Sequence, residues 1–154
     1  MEFPFRTARI STLVHATEDE QKVLTVLQAL LPERVEVQRK KLRGHYGNPI
    51  SAFTASVKQR KLLREFWARV AAKLSASELE KLGRVTQEMM DETCHLYLRF
   101  DKQLACAGEL TLTESGDALH VELKVAAYPA KREVATKLVR EFIECRNRGV
   151  EHER

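Results

Sequence analysis

The chain has 154 residues, 44% hydrophobic and 31% charged, with 26 Lys and Arg against 22 Asp and Glu for a net charge of +4. That suffices for one well-buried core but not two, and the chain is too apolar for wholesale disorder. No run approaches the roughly 18 apolar residues of a membrane span, and the early acid in Met1-Glu-Phe-Pro-Phe-Arg6 leaves no signal-peptide core, so a cytoplasmic protein is expected.

In chain order, Ala8 to Ala16 alternate with Ile10, Thr12, Val14 and Ala16 on one face, the pattern of a half-buried strand. Thr17-Glu-Asp-Glu20 then matches a capping box, with Thr17 as N-cap and Glu20 reaching back. Val23, Val26, Leu27, Leu30 and Leu31 follow as one helical stripe, worth on the order of 7–15 kcal/mol when buried, before entropy. Pro32 ends that helix. Val35 and Val37 begin a second strand that runs out into Arg39-Lys40-Lys41, and Ile50 to Val57 form a third. Between them Gly44-His-Tyr-Gly-Asn-Pro49 predicts a hairpin loop longer than the minimal turn.

From Lys58 a long helix buries Leu63, Phe66, Trp67, Val70, Ala71 and Leu74, which makes Trp67 a core residue rather than a base-stacking one. Ser75-Ala-Ser-Glu78 is a second capping box, opening a short helix that Gly83 should stop. Cys94 to Phe100 alternate as a strand, with His95 on the face away from the core. Glu109–Thr113 and Ala118–Ala127 read as a hairpin, with Leu119, Val121, Leu123 and Val125 inward and His120 outward. A last helix places Val134, Ala135, Leu138, Val139, Phe142 and Ile143 on one face, and a polar tail follows. The order β-α-β-β-α-(α)-β-β-β-α, rich in hairpins, predicts an α+β fold: a mainly antiparallel sheet with helices packed on one face. Residues 5–147 form the single predicted domain and 148–154 a frayed tail.

Few groups converge for catalysis. His15 beside the acidic capping box could serve as a base but reads as a strand surface or edge residue, His95 and His120 form no metal pair, and no P-loop, GxSxG or GxGxxG occurs. Neither an enzyme nor a cofactor is expected. Cys94, Cys106 and Cys145 lack metal-type spacing and read as buried free thiols.

Charge is more informative. Eleven cations lie between Arg34 and Lys73 against only Glu36 and Glu65, so this segment carries +9 and the remainder −5. Such a split suits a polyanion partner, although a solvated helix face plus a lysine-guarded strand edge would give the same pattern. RNA recognition needs cations for phosphates, flexible backbone, and an aromatic for bases. Arg39, Lys40, Lys41 and Arg43, followed by His45, Tyr46 and Asn48, supply all three. Lys58 and Lys61 add cations after the third strand.

The blocks VHATEDE (14–20), GHYGNPI (44–50), LRFDKQLA (98–105) and YPAKRE (128–133) resemble the signature blocks of an archaeal family described as predicted RNA-binding proteins or exosome subunits. Its fold is similar to that of the ribosomal protein that binds 5S RNA. The resemblance implies a non-catalytic protein acting on structured RNA, with exosome or ribosomal proteins as further partners. A protein adaptor in such an assembly, without direct RNA contact, is the competing reading. Lys102, in the Asp-Lys-Gln part of the third block, is expected to project from a strand end as a phosphate ligand.

Overall fold

The computed structural model describes residues 2–114 and 116–152, with side chains through residue 145. Five strands form one antiparallel sheet: β1 (Phe5–His15), β2 (Gln38–Arg43), β3 (Pro49–Val57), β4 (His95–Asp101) and β5 (Ala118–Val125). Their spatial order is β2-β3-β1-β5-β4. The helices are α1 (Glu20–Leu30), α2 (Arg60–Ala72), α3 (Ala76–Met89), α4 (Lys102–Cys106) and α5 (Arg132–His152). The strands other than β2 bury alternate residues (Ala8, Ile10, Thr12 and Val14 on β1; Leu96, Leu98 and Phe100 on β4), so one sheet face carries the core and the other is open. The α+β architecture and its antiparallel sheet are those the alternation predicts.

Several local expectations change, each for a physical reason. The N-cap of α1 is Asp19, not Thr17: its Oδ1 accepts from the Gln21 and Lys22 backbone N–H groups at 3.0 and 3.4 Å. Residues 15–18 are taken up by a turn that Glu18 N–H closes onto His15 O at 3.0 Å. Glu20 reaches Arg39 instead of its own helix start. Ser75 does cap α3, accepting from Glu78 N–H at 3.1 Å, but the Glu78 carboxylate accepts from Leu112 N–H at 3.0 Å.

Gly83 does not stop α3. The helix runs on to Met89, and a Cβ at Gly83 would stand 3.9 Å from Ile143 Cγ2, so the glycine lies where α3 meets α5. Nor do residues 109–113 pair with β5. Both edges of β5 are taken, by β1 and β4, so the segment bridges the free edge of β4 once, Phe100 to Leu112. The strand β2 starts at Gln38, after Val35 and Val37. Of the cysteines only Cys94 is buried; Cys106 and Cys145 are exposed. The α5 backbone is helical through His152, past the expected start of the tail, and Glu153 and Arg154 lie outside the described residues. No described helix is long and apolar enough to cross a membrane.

Candidate nucleic-acid interface

The β2–β3 hairpin stands at the sheet edge, with all six residues of β2 exposed. Its register pairs Arg39 with Phe53, Lys41 with Ser51 and Arg43 with Pro49, so these three cations share the helix-side face. Lys40, opposite Ala52, lies on the open face. Arg39 is partly committed: its Nη2 donates to Glu20 Oε2 at 3.0 Å, with Nε also paired to that carboxylate. Among the described residues, no hydrogen bond or ion pair engages the side chains of Lys40, Lys41 or Arg43.

The loop tip has a definite geometry. Gly44 N–H donates to Asn48 O at 2.7 Å and Gly47 N–H to Gly44 O at 2.9 Å, enclosing a three-residue loop. Gly47 closes it at φ 79°, in the left-handed region that suits glycine. A Cβ on Gly44 would collide with the Asn48 side chain, so Asn48 folds over Gly44 and shapes the loop. His45 and Tyr46 are left at the apex, rings edge to face at 5.0 Å, with Tyr46 92% exposed.

Lys58 and Lys61 do not join this group. They are exposed, but they follow the far end of the nine-residue β3, about 26 Å from the loop at 3.3 Å per residue. Lys58 shares a cleft there with Arg6, Arg60 and Glu2, and Lys61 follows in the first turn of α2.

Lys102 requires a correction. It does not project from the strand end; it is 1% exposed. Asp101 caps α4, its Oδ1 accepting from Leu104 N–H at 2.9 Å, and Lys102 begins the helix turned inward. Its Nζ donates to Leu13 O at 2.7 Å and lies 2.8 Å from Glu18 Oε2 and 2.6 Å from Asp117 Oδ2. Three N–H donors meet three acceptor groups, so none is left for a phosphate. Burial pushes the Glu18 carboxyl up, but hydrogen bonds from Lys102 and from the His15 backbone outweigh it and leave the carboxyl below its ordinary 4.5. His15, Glu18 and Asp117 also offer ligand atoms within 4.8 Å of one another, as a metal site would, yet the Lys102 ammonium already bridges the two carboxylates.

Arg39, Arg43, Lys61 and Lys102 therefore do not form one surface. Sequence reasoning missed the outward-facing residues on the open face of the sheet, Leu13 and Arg9 on β1 and Arg99 on the far edge strand β4. Alternation along β1 and β4 marks them as outward, but only the strand order shows that they share one face with Lys40 and Leu42 of β2.

A family model described as RNA binding matches residues 7–125, from β1 to the end of β5. RNA-binding protein PAB1135 of Pyrococcus abyssi is 40% identical over 141 residues, 88% of this chain and 92% of that protein. Two solved structures share the fold at TM-score 0.78. Protein AF2318 from Archaeglobus fulgidus has 34% identity and covers 89% of this chain and 98% of its own. Mth689, a DUF54 protein from Methanothermobacter thermautotrophicus, has 33% identity and covers 92% and 99%. With matches of this extent on a common fold, the chain belongs to the family described as RNA binding.

Proposed function

We propose that this protein is a non-catalytic RNA-binding protein that holds the phosphate backbone of structured RNA on the β2–β3 hairpin. The observation that carries the reading is the fully exposed Gln38–Arg43 strand, four of whose six residues are cations, ending in the projecting His45–Tyr46 tip. Lys40, Lys41 and Arg43 contact phosphates, with Arg39 exchanging Glu20 for phosphate, while Tyr46 and His45 pack on bases. Asn48 holds the loop in shape. Lys58 and Lys61 meet only an RNA long enough to reach the opposite end of the sheet. Lys102, enclosed by its acceptors, takes no part. A setting in RNA processing or ribosome assembly belongs to the proposal through the signature blocks, and co-purification of exosome or ribosomal proteins after nuclease treatment tests it.

Salt titration tests the RNA contact. Three or four phosphate contacts give a log–log slope of about −2 to −3, a loss of about 20- to 60-fold in affinity between roughly 50 and 200 mM salt. Lys41→Ala with Arg43→Ala should lower the slope by about one per contact and weaken binding to all sequences alike. A flat salt response, or an unchanged slope in the double variant, would remove the hairpin from the interface.

A further inference from the structure

The open face of the sheet continues directly from the hairpin. Where β2, β3 and β1 meet, Leu42 stands opposite Ile50, which faces His15, and Lys40 stands opposite Ala52, which faces Leu13. Leu13 is 46% exposed and Leu42 38%, a small aliphatic platform beside the Tyr46 tip and Lys40. One register step along, a row crosses all five strands: Gln38, Thr54, Ser11, His120, Arg99. At about 4.8 Å per strand it runs roughly 19 Å and offers an amide, two hydroxyls, an imidazole and a guanidinium.

We infer that this face is a second part of the RNA site and takes unpaired nucleobases, so that the structured RNA held by the hairpin presents a single-stranded stretch to the sheet; the inference rests on the hairpin being the RNA contact. An aliphatic platform offers nothing to phosphates or ribose hydroxyls, but it suits the flat face of a base. Base edges need the mixed donors and acceptors of the neighbouring row. In a duplex those faces are stacked and those edges are paired. Cations stand at both ends of the path, Lys40 by the hairpin and Arg99 at β4, and neither the platform nor the row contains an acid.

Partial desolvation of the otherwise exposed ring above all, and then Arg99, hold the His120 imidazole below its ordinary pKa against the pull of Asp117. This favours the neutral ring, in which one nitrogen donates and the other accepts, as reading a base edge requires. Glu122, opposite Arg9 in the next row, and the acids Glu88, Asp91 and Glu114 along the same cleft bound the path, because a phosphate would be repelled there.

The test compares a random-sequence single-stranded RNA pool of about 12 nucleotides with a blunt RNA duplex of the same length, by fluorescence anisotropy on the full chain. The variants are Leu13→Ser with Leu42→Ser, Arg99→Ala alone, and Lys41→Ala with Arg43→Ala. All these side chains are exposed, and melting curves verify that each variant folds. Wild type is expected to prefer the single strand. The leucine pair should lose about 5- to 100-fold on the single strand and leave duplex binding unchanged, and Arg99→Ala should weaken the single strand alone. The lysine–arginine pair should weaken both probes. Preference for the duplex, or full single-strand affinity in the leucine pair while the hairpin variant is weakened, overturns this inference and leaves the hairpin reading standing. Absence of wild-type binding to either probe at low salt overturns both.

Discussion

Lys102→Ala is expected to destabilise the protein by about 3–5 kcal/mol, because it leaves Glu18 and Asp117 facing each other over the space the ammonium filled. The urea midpoint should fall accordingly. In a Glu18→Gln background the same change should cost less, by a coupling of about 0.5–3 kcal/mol. The acid limb of stability checks the assignment independently. A carboxyl held below its ordinary value by folding contributes stability that is present above the unfolded pKa, near 4.5, and is lost as pH falls through the folded value. Lys102→Ala removes the largest of the hydrogen bonds lowering Glu18 and should flatten that loss. RNA affinity of the folded variant should match wild type. A large drop in affinity with melting barely moved would return Lys102 to the interface.

Trp67→Ala is expected to cost about 3–5 kcal/mol. The side chain is 2% exposed and packs against Phe5 at 5.0 Å and Phe142 at 6.0 Å between ring centroids. Its Nε1 is buried without a hydrogen-bond partner among the described residues. Such a group carries a desolvation penalty of roughly 1–3 kcal/mol, which Trp67→Phe removes along with some volume. The phenylalanine variant should therefore lose less than about 1.5 kcal/mol. Thermal unfolding of both variants decides the matter: a small shift in the alanine variant, together with weakened RNA binding, would make Trp67 a base platform instead of a core residue.

These two residues show what a sequence discloses and what it hides. Trp67 was legible because its partners on the helical stripe recur every three or four residues, and periodicity is a local property. The hairpin was legible for the same reason: alternation, two glycines and a proline mark its strands and its turn within about twenty positions. Lys102 was not. Its acceptors Leu13 and Glu18 lie 89 and 84 positions away, and no spacing rule links them. Glu18 itself looked like part of a helix cap, since an acid there serves either purpose. The separation of Lys58 and Lys61 from the loop was hidden too, because charge clustered in sequence is spread along whatever strand lies between. The open-face row needed the strand order β2-β3-β1-β5-β4, which follows from long-range pairing that no short window contains.

Within the sheet β2 pairs with β3 alone, its one hydrogen-bonded link to a helix among the described residues is the exposed Arg39–Glu20 pair, and it buries none of its six residues. Peeling it away would break one ladder and expose little of the core, so its opening free energy lies far below that of global unfolding. The β2 amides should exchange with solvent early while those of β1 and β5 stay protected. A ligand gripping this strand need not stiffen the whole molecule; its binding energy goes first into closing a local equilibrium. The hairpin can thus yield to RNAs of different shape while the core behind it stays folded.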